Sequence, residues 1–303
     1  MKSRIWIAWI AVILAAVVLG SISAQTFFDR DKHAESFSPR HVISKLDPEV
    51  AKPSISYDAT MDMLQKVGYS LPSDCNANLI SDQGWNKIYW AISWKGHVYA
   101  KVDAFTGEII GIDDYRNVSN EVPCETVSEE NVATITLENM KRITDVPDGL
   151  GEPDVRTDDD GNFVLLWKQY INNVPVRGGF INARLDKCGN LVSFRKVWHD
   201  ISMDVSPEIT NEEAVDIARV EGLNLPDVLK KRIENAENVY TELIIGRPFR
   251  LLDRNKSIYG DCTLLWSVTF EDVQMTIKGP IISTVVIQVD AHSGEAVGVD
   301  YTK

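Results

Sequence analysis

The stretch Val102-Asp103-Ala104-Phe105-Thr106-Gly107-Glu108-Ile109-Ile110-Gly111-Ile112-Asp113 returns almost unchanged as Val289-Asp290-Ala291-His292-Ser293-Gly294-Glu295-Ala296-Val297-Gly298-Val299-Asp300. Recurrence of such a segment within one chain marks a repeated structural unit. A shorter copy, Leu185-Asp186-Lys187-Cys188-Gly189-Asn190-Leu191-Val192, lies between them. Each copy predicts a strand, a tight turn and a second strand. The carboxylates of Asp103, Asp186 and Asp290 can accept from backbone amides just ahead of them. Gly107, Gly189 and Gly294 can take the positive φ that closes a short hairpin loop.

Each hairpin follows an aromatic-rich segment with a tryptophan: Trp90 and Trp94 in Tyr89–Trp94, Trp167 in Leu166–Tyr170, and Trp266 in Leu265–Phe270. In the first and last, Trp90, Ile92, Trp94 and Trp266, Val268, Phe270 share one face, the period-two pattern of a half-buried strand. Trp90, Trp167 and Trp266 are therefore expected at the same structural place, in an antiparallel sheet and as core rather than as a ligand platform. The distance from this tryptophan to the repeat aspartate grows along the chain, as it does where surface loops absorb insertions.

The amino terminus is of another kind. Lys2 and Arg4 precede an apolar run from Ile5 to Gly20, followed by the small residues Ser21, Ser23 and Ala24. This is the order of a secretory signal peptide, and the length also suits an uncleaved membrane anchor. Under either reading residues 1–24 place the remainder outside the cytoplasmic membrane, secreted or held at its outer face. Setting Lys2 and Arg4 aside leaves 29 basic against 44 acidic residues, a net charge of −15. No basic stripe exists to neutralise phosphates, so nucleic acid is excluded as a partner class.

Outside the cytosol, Cys75, Cys124, Cys188 and Cys262 can form disulfides, and four cysteines allow three pairings. The preferred one joins Cys75 to Cys124, bracketing the first unit, and Cys188 to Cys262. Zinc is the alternative, but no CxxC spacing or adjacent histidine supports it. Asn117-Val118-Ser119 and Asn255-Lys256-Ser257 are glycosylation triplets.

Taken in order, 25–53 is a polar tether and 54–117 a first unit. A helix is expected after Ser54 or Ser56, with Ala59, Met63 and Val67 on one face. The second unit, 126–202, opens with Ser128-Glu129-Glu130. The third, 208–303, opens with Asn211-Glu212-Glu213, where Thr210 and Glu213 have capping-box spacing and Ala214, Ile217 and Ala218 form an apolar stripe. The third unit carries an insertion at 223–260, with a second helix expected near 226–235 and a strand near 239–245.

The Glu-Glu-Ala helix start, the strands and Val-Asp-Ala-x-Ser/Thr-Gly-Glu together resemble the PepSY domain of thermolysin-type peptidase propeptides and of many secreted or membrane-attached proteins. Tyr170-Ile171-Asn172-Asn173-Val174-Pro175-Val176-Arg177-Gly178-Gly179 looks like the related propeptide segment of those peptidases. The resemblance implies an α+β, PepSY/cystatin-like fold: tandem units of a helix packed on a curled antiparallel sheet. It also implies a role as inhibitor, chaperone or binding module, and carries over no catalytic residue.

Searching for chemistry points the same way. The five histidines are never closer than eight residues, so HExxH is absent, as are GxSxG and a phosphate-binding glycine loop. Asp158-Asp159-Asp160-Gly161-Asn162 fails as an EF-hand, because Arg156 and Trp167 fall where acidic ligands belong, and it reads as an Asp-Gly turn. The chain is thus expected to be no enzyme and to need no cofactor or metal. Its partner is expected to be a secreted or membrane-associated peptidase or another envelope protein. Phe105, Lys187 and His292 in the turns are candidate contacts, and the alternative is a structural or sensory envelope ectodomain with no peptidase partner.

Overall fold

Side-chain caps at Asp47, Ser56 and Thr210 mark three of the described helix starts. The computed structural model describes residues 43–68, 74–82, 87–95, 97–113, 124–248, 250–251, 262–276 and 279–302. The leader at 1–24, most of the tether and both glycosylation triplets lie outside the described residues. Within the stretch read as a tether, Ile43–Leu46 forms strand β1 and Pro48–Ala51 a short helix, α1.

Helix α2 (Tyr57–Lys66) starts at Ser56, whose hydroxyl accepts from the Ala59 amide at 3.2 Å. It buries Thr60 and Leu64, one position on from the expected Ala59–Met63 line. Helix α3 (Glu129–Lys141) follows Ser128 and buries Val132, Thr136 and Met140. Helix α4 (Asn211–Gly222) carries the reciprocal capping box between Thr210 and Glu213 and buries Ala214 and Ala218. Helix α5 (Asp227–Glu234), in the insertion, buries Leu229 and Ile233.

After α2 come β2 (Asn76–Asp82), β3 (Lys87–Trp94), β4 (His97–Asp103) and β5 (Ile109–Asp113). After α3 come β6 (Asp154–Thr157), β7 (Phe163–Ile171), β8 (Val174–Leu185) and β9 (Leu191–Val197). After α4 and α5 come β10 (Asn238–Gly246), the two-residue β11 (Arg250–Leu251), β12 (Thr263–Thr276), β13 (Gly279–Asp290) and β14 (Ala296–Tyr301). Helix and four serially paired antiparallel strands therefore occur three times in chain order, counting β10, β12, β13 and β14 in the last. The fold class is α+β.

These sets fuse into one sheet. β5 pairs antiparallel with β9 through Gly111 and Arg195, and β8 meets β10 through Val176 and Ile245. The second contact is parallel, which departs from the all-antiparallel expectation. One apolar core lies under both α2 and α3, running from Leu64, Leu79 and Trp90 to Val132, Met140, Trp167 and Phe194. A separate core joins α4 and α5 to Val268, Phe270, Val285 and Ile287. Each helix needs a sheet face to bury its stripe, and each sheet face needs a cover, so the pairing is mutual.

Strand register corrects one expectation. Trp90 stands opposite Val102 and Trp266 opposite Val289, each the residue before the repeat aspartate. Their indole N–H groups donate to the carbonyls of Ile55 and Ile209, just before the helix caps, at 2.8 and 3.0 Å. Trp167 stands opposite Ile181 instead, and the equivalent of Trp90 is Phe163, opposite Leu185. The β7–β8 hairpin is longer than β3–β4, so counting from aromatic to aspartate misplaced it by two turns of the pleat.

Candidate interaction surface

The first and last hairpin turns are built by one hydrogen-bond scheme, and the middle turn by a shorter variant of it. Asp103 Oδ1 accepts from the amides of Phe105 and Thr106 at 2.9 and 3.0 Å. Asp186 Oδ1 accepts from Cys188 and Asn190, both at 2.9 Å, and Asp290 Oδ1 from His292 and Ser293 at 3.0 and 2.8 Å. Gly107, Gly189 and Gly294 follow at φ 78°, 83° and 70°, which a side chain would strain. At Gly189 an added Cβ would also come within 2.9 Å of Val127 Cγ2, so the turn lies tight against the start of α3.

The residue after each aspartate fastens the turn to its helix. The carbonyls of Ala104, Lys187 and Ala291 accept from the amides of Ile55, Val127 and Ile209 at 2.9, 3.0 and 3.2 Å. Those donors each sit just before the helix cap. The sequence reading missed them, although an apolar residue ahead of Ser56, Ser128 and Thr210 is the pattern that fixes a chain's entry into a helix.

This alignment separates the candidate contacts. Phe105, 45% exposed, and the half-buried His292 occupy equivalent positions, whereas Lys187, though exposed, is equivalent to the buried Ala104 and Ala291. The counterpart of Phe105 in the middle turn is Cys188. Cys188 is bonded to Cys124, across a sequence separation of 64. The expected pairing of Cys75 with Cys124 and of Cys188 with Cys262 is therefore corrected: Cys75 packs against the first core and Cys262 near Ile245 and Leu264. Spacing could not reveal this, because the helix entry and the turn meet only through the tertiary fold.

Glu108, which follows the first turn glycine, is the other group that sequence reasoning overlooked. It ion-pairs with the half-buried Lys196 of β9 and accepts from the Thr144 hydroxyl at 3.0 Å, while Lys196 also donates to the Asp145 carbonyl at 2.6 Å. The first turn is thereby tied to the strands that follow α3.

The electrostatics of the first turn are set by Asp103, whose side chain is nearly buried. Burial alone would raise its pKa, but the Thr106 and Phe105 amides and Lys87, at 3.3 Å, together hold it below the usual carboxylate range. A carboxylate with a depressed folded pKa stabilises fully above its unfolded value near 4 and loses that contribution as pH falls through the folded value. Asp103→Ala should cost about 2–3 kcal/mol at neutral pH, through two charge-assisted bonds. Asp103→Asn should flatten the decline in stability below about pH 4. Urea titrations on either side of that pH read both effects, and an unchanged acid limb in Asp103→Asn would exclude this account.

The charged groups of the acidic triplet are engaged in structure. Asp158 Oδ1 accepts from the amides of Asp160 and Asn162 at 3.0 and 2.9 Å, and Arg184 bridges Asp158 and Asp160 at 2.6 and 3.1 Å. The acidic triplet is thus a turn between β6 and β7 closed by an arginine. Among the described residues no three His, Cys, Asp or Glu side chains converge as a metal-binding group would, and no helix is long and apolar enough to cross a membrane. On the sheet face away from the helices, Lys101 lies 5.2 Å over the Tyr89 ring. Burial, with Arg195 nearby, brings Lys101 down to about 8, and burial pushes Tyr89 up to about 12.

The surface includes turns and strand edges. Among the described residues, β6 pairs only with β7, and β10 pairs along one side with β12 and touches β8 only at Ile245. Comparison with curated proteins gives no match. A family model does match: residues 148–196, spanning β6, β7, β8 and most of β9, fit the Fungalysin/Thermolysin Propeptide Motif. The strands of the middle set are therefore similar to the propeptide motif of fungalysin and thermolysin peptidases.

Proposed function

We propose that this is a non-catalytic, extracytoplasmic protein of three PepSY-like units, at 54–117, 126–202 and 208–303, that binds and modulates a secreted peptidase. The observation that carries the reading is the propeptide-motif match over 148–196, in a chain with no local peptidase signature. The link from turn to helix entry, repeated three times, and the turn scheme shared by the first and last units support three related units. The disulfide and the basic, apolar, small-residue order of 1–24 support export, with residues 5–24 either cleaved or kept as an anchor. Binding through strand edges and turns would draw affinity from backbone hydrogen bonds and specificity from side chains such as Phe105 and His292.

The test is to titrate the exported chain into a secreted thermolysin-type metallopeptidase and follow both complex formation and substrate hydrolysis. Dose-dependent binding with altered peptidase activity is expected. Hydrolysis by the purified chain itself, or failure to bind any secreted peptidase of its host, would overturn the proposal. Partners confined to envelope and signalling proteins would instead favour a structural or sensory ectodomain.

A further inference from the structure

Gln169 and Gly179 build a joint around His199. The β7–β8 register shifts between Lys168 and Tyr170, so Gln169 falls at a bulge, and it is buried. An added Cβ on Gly179 would come within 2.4 Å of Gln169 Oε1 and 2.8 Å of its Cβ, so glycine leaves the room that the amide needs. Gln169 Nε2 donates to the His199 carbonyl at 2.6 Å, and its Oε1 accepts from the His199 amide at 3.0 Å. The last β8–β9 pair is Phe180–Val197, and the same register carried on sets His199 opposite Gly178. A side-chain amide thus takes over from the strand ladder at the point where β9 leaves β8.

Two routes from the second set of strands to the third leave from this joint. Beyond Gln169 the β7–β8 ribbon carries Ile171, Val174 and Val176, and beyond His199 the chain carries Ile201, Met203 and Val205. All of these pack with Ile245 and Leu264 of the third set. The half-buried His199 ring feels Arg247, just after β10, and Lys87, the first residue of β3, and is hydrogen-bonded to the Gly178 backbone. Lys87 ion-pairs with Asp103 at 3.3 Å. Among the described residues Arg247 pairs with no carboxylate, and its Nε is buried without a hydrogen-bond partner. Asp200, next in the chain, is exposed. A positive charge on the ring would therefore meet two cations and one carboxylate that is already engaged. Burial, then Arg247 and Lys87, hold the His199 pKa below its ordinary value, and the Gly178 bond opposes them only in part.

We propose that His199 is an acid-sensitive latch on the joint between the second and third sets of strands. The neutral ring keeps its bond to Gly178 and the joint is closed. A proton taken up from solvent places a third positive charge beside Arg247 and Lys87. The ring relieves the repulsion by turning out to water, which draws the His199 backbone off the Gln169 amide. A base with a depressed folded pKa binds its proton more readily when the joint is open. The joint is therefore tightest above about pH 6.5 and loosens as pH falls below it. This window lies well above the one set by Asp103, near about pH 4. The latch is a property of the chain by itself and does not depend on which partner the chain binds.

The experiment follows hydrogen exchange of the whole chain, corrected for the intrinsic rate, together with titration of the His199 ring by NMR. Between about pH 7.5 and about pH 5, amides within 174–178, 199–205 and 243–246 should come to exchange several-fold faster, by at most about tenfold per pH unit, while those of α4 should not change. His199→Gln keeps a neutral group able to bond Gly178, and in it the joint should exchange alike at both pH values. Arg247→Gln removes one repelling charge, so the ring pKa should rise toward its ordinary value and the acid effect should shrink. A His199 ring that titrates at or above about pH 6.5 overturns the latch, and the parent chain alone gives that reading. So does joint exchange that responds to acid equally in His199→Gln, or a ring pKa that Arg247→Gln leaves unmoved.

Discussion

Trp167→Ala should destabilise the protein by about 3–5 kcal/mol, the range for truncating a fully buried large aromatic side chain. Trp167 is 1% exposed and belongs to the core that α2 and α3 share. Its loss therefore opens a cavity under two sets of strands rather than one. Urea titration should show a lower midpoint with a nearly unchanged slope, and the β7–β8 region should lose amide protection. Trp167→Phe should recover much of the loss because the site demands volume and no indole hydrogen bond is assigned to it. Trp90 and Trp266 differ, since each indole also donates to a carbonyl at a helix entry. A cost below about 1 kcal/mol for Trp167→Ala would contradict the packing described here.

Cys124→Ser/Cys188→Ser should cost about 4 kcal/mol in the chain-entropy model, for a closed loop of roughly sixty residues. The bond joins the segment before α3 to the middle turn, where the Val127 amide already donates to the Lys187 carbonyl at 3.0 Å. The corresponding junctions at α2 and α4 are held by that hydrogen bond without a disulfide. The double variant should therefore keep its fold, melt earlier, and show faster hydrogen exchange at 124–132 and 186–190 before other regions. A digest of unreduced protein should contain a Cys124–Cys188 crosslinked peptide. Finding Cys124 joined to Cys75 instead, or stability unmoved by the double substitution, would refute the assignment.

These two sites also show what could be read without a fold. The turns at Asp103, Asp186 and Asp290 and the caps at Ser56 and Thr210 all arise from residues within about five positions of one another. In each, a side-chain oxygen meets specific nearby amides, or a glycine meets a required φ, and the amino-acid types are sufficient to specify the result. The propeptide-like character of the middle strands was legible for the same reason, as a short run of residues with its own turn chemistry.

Contacts between distant segments depended on something the residues do not spell out. Any backbone N–H can pair with any backbone C=O, so the antiparallel joint of β5 with β9 and the parallel touch of β8 on β10 have no local code. The length of the β7–β8 hairpin placed Phe163, not Trp167, opposite the residue before Asp186. The approach of the α3 entry to its turn selected Cys124 for Cys188, and the same approach made Lys187 the counterpart of Ala104. The sequence alone determined the turns, the caps and the alternation that buries one face of each strand. Tertiary structure decided which strands adjoin and which cysteines meet, because those outcomes follow from where whole elements pack rather than from the chemistry of any short run.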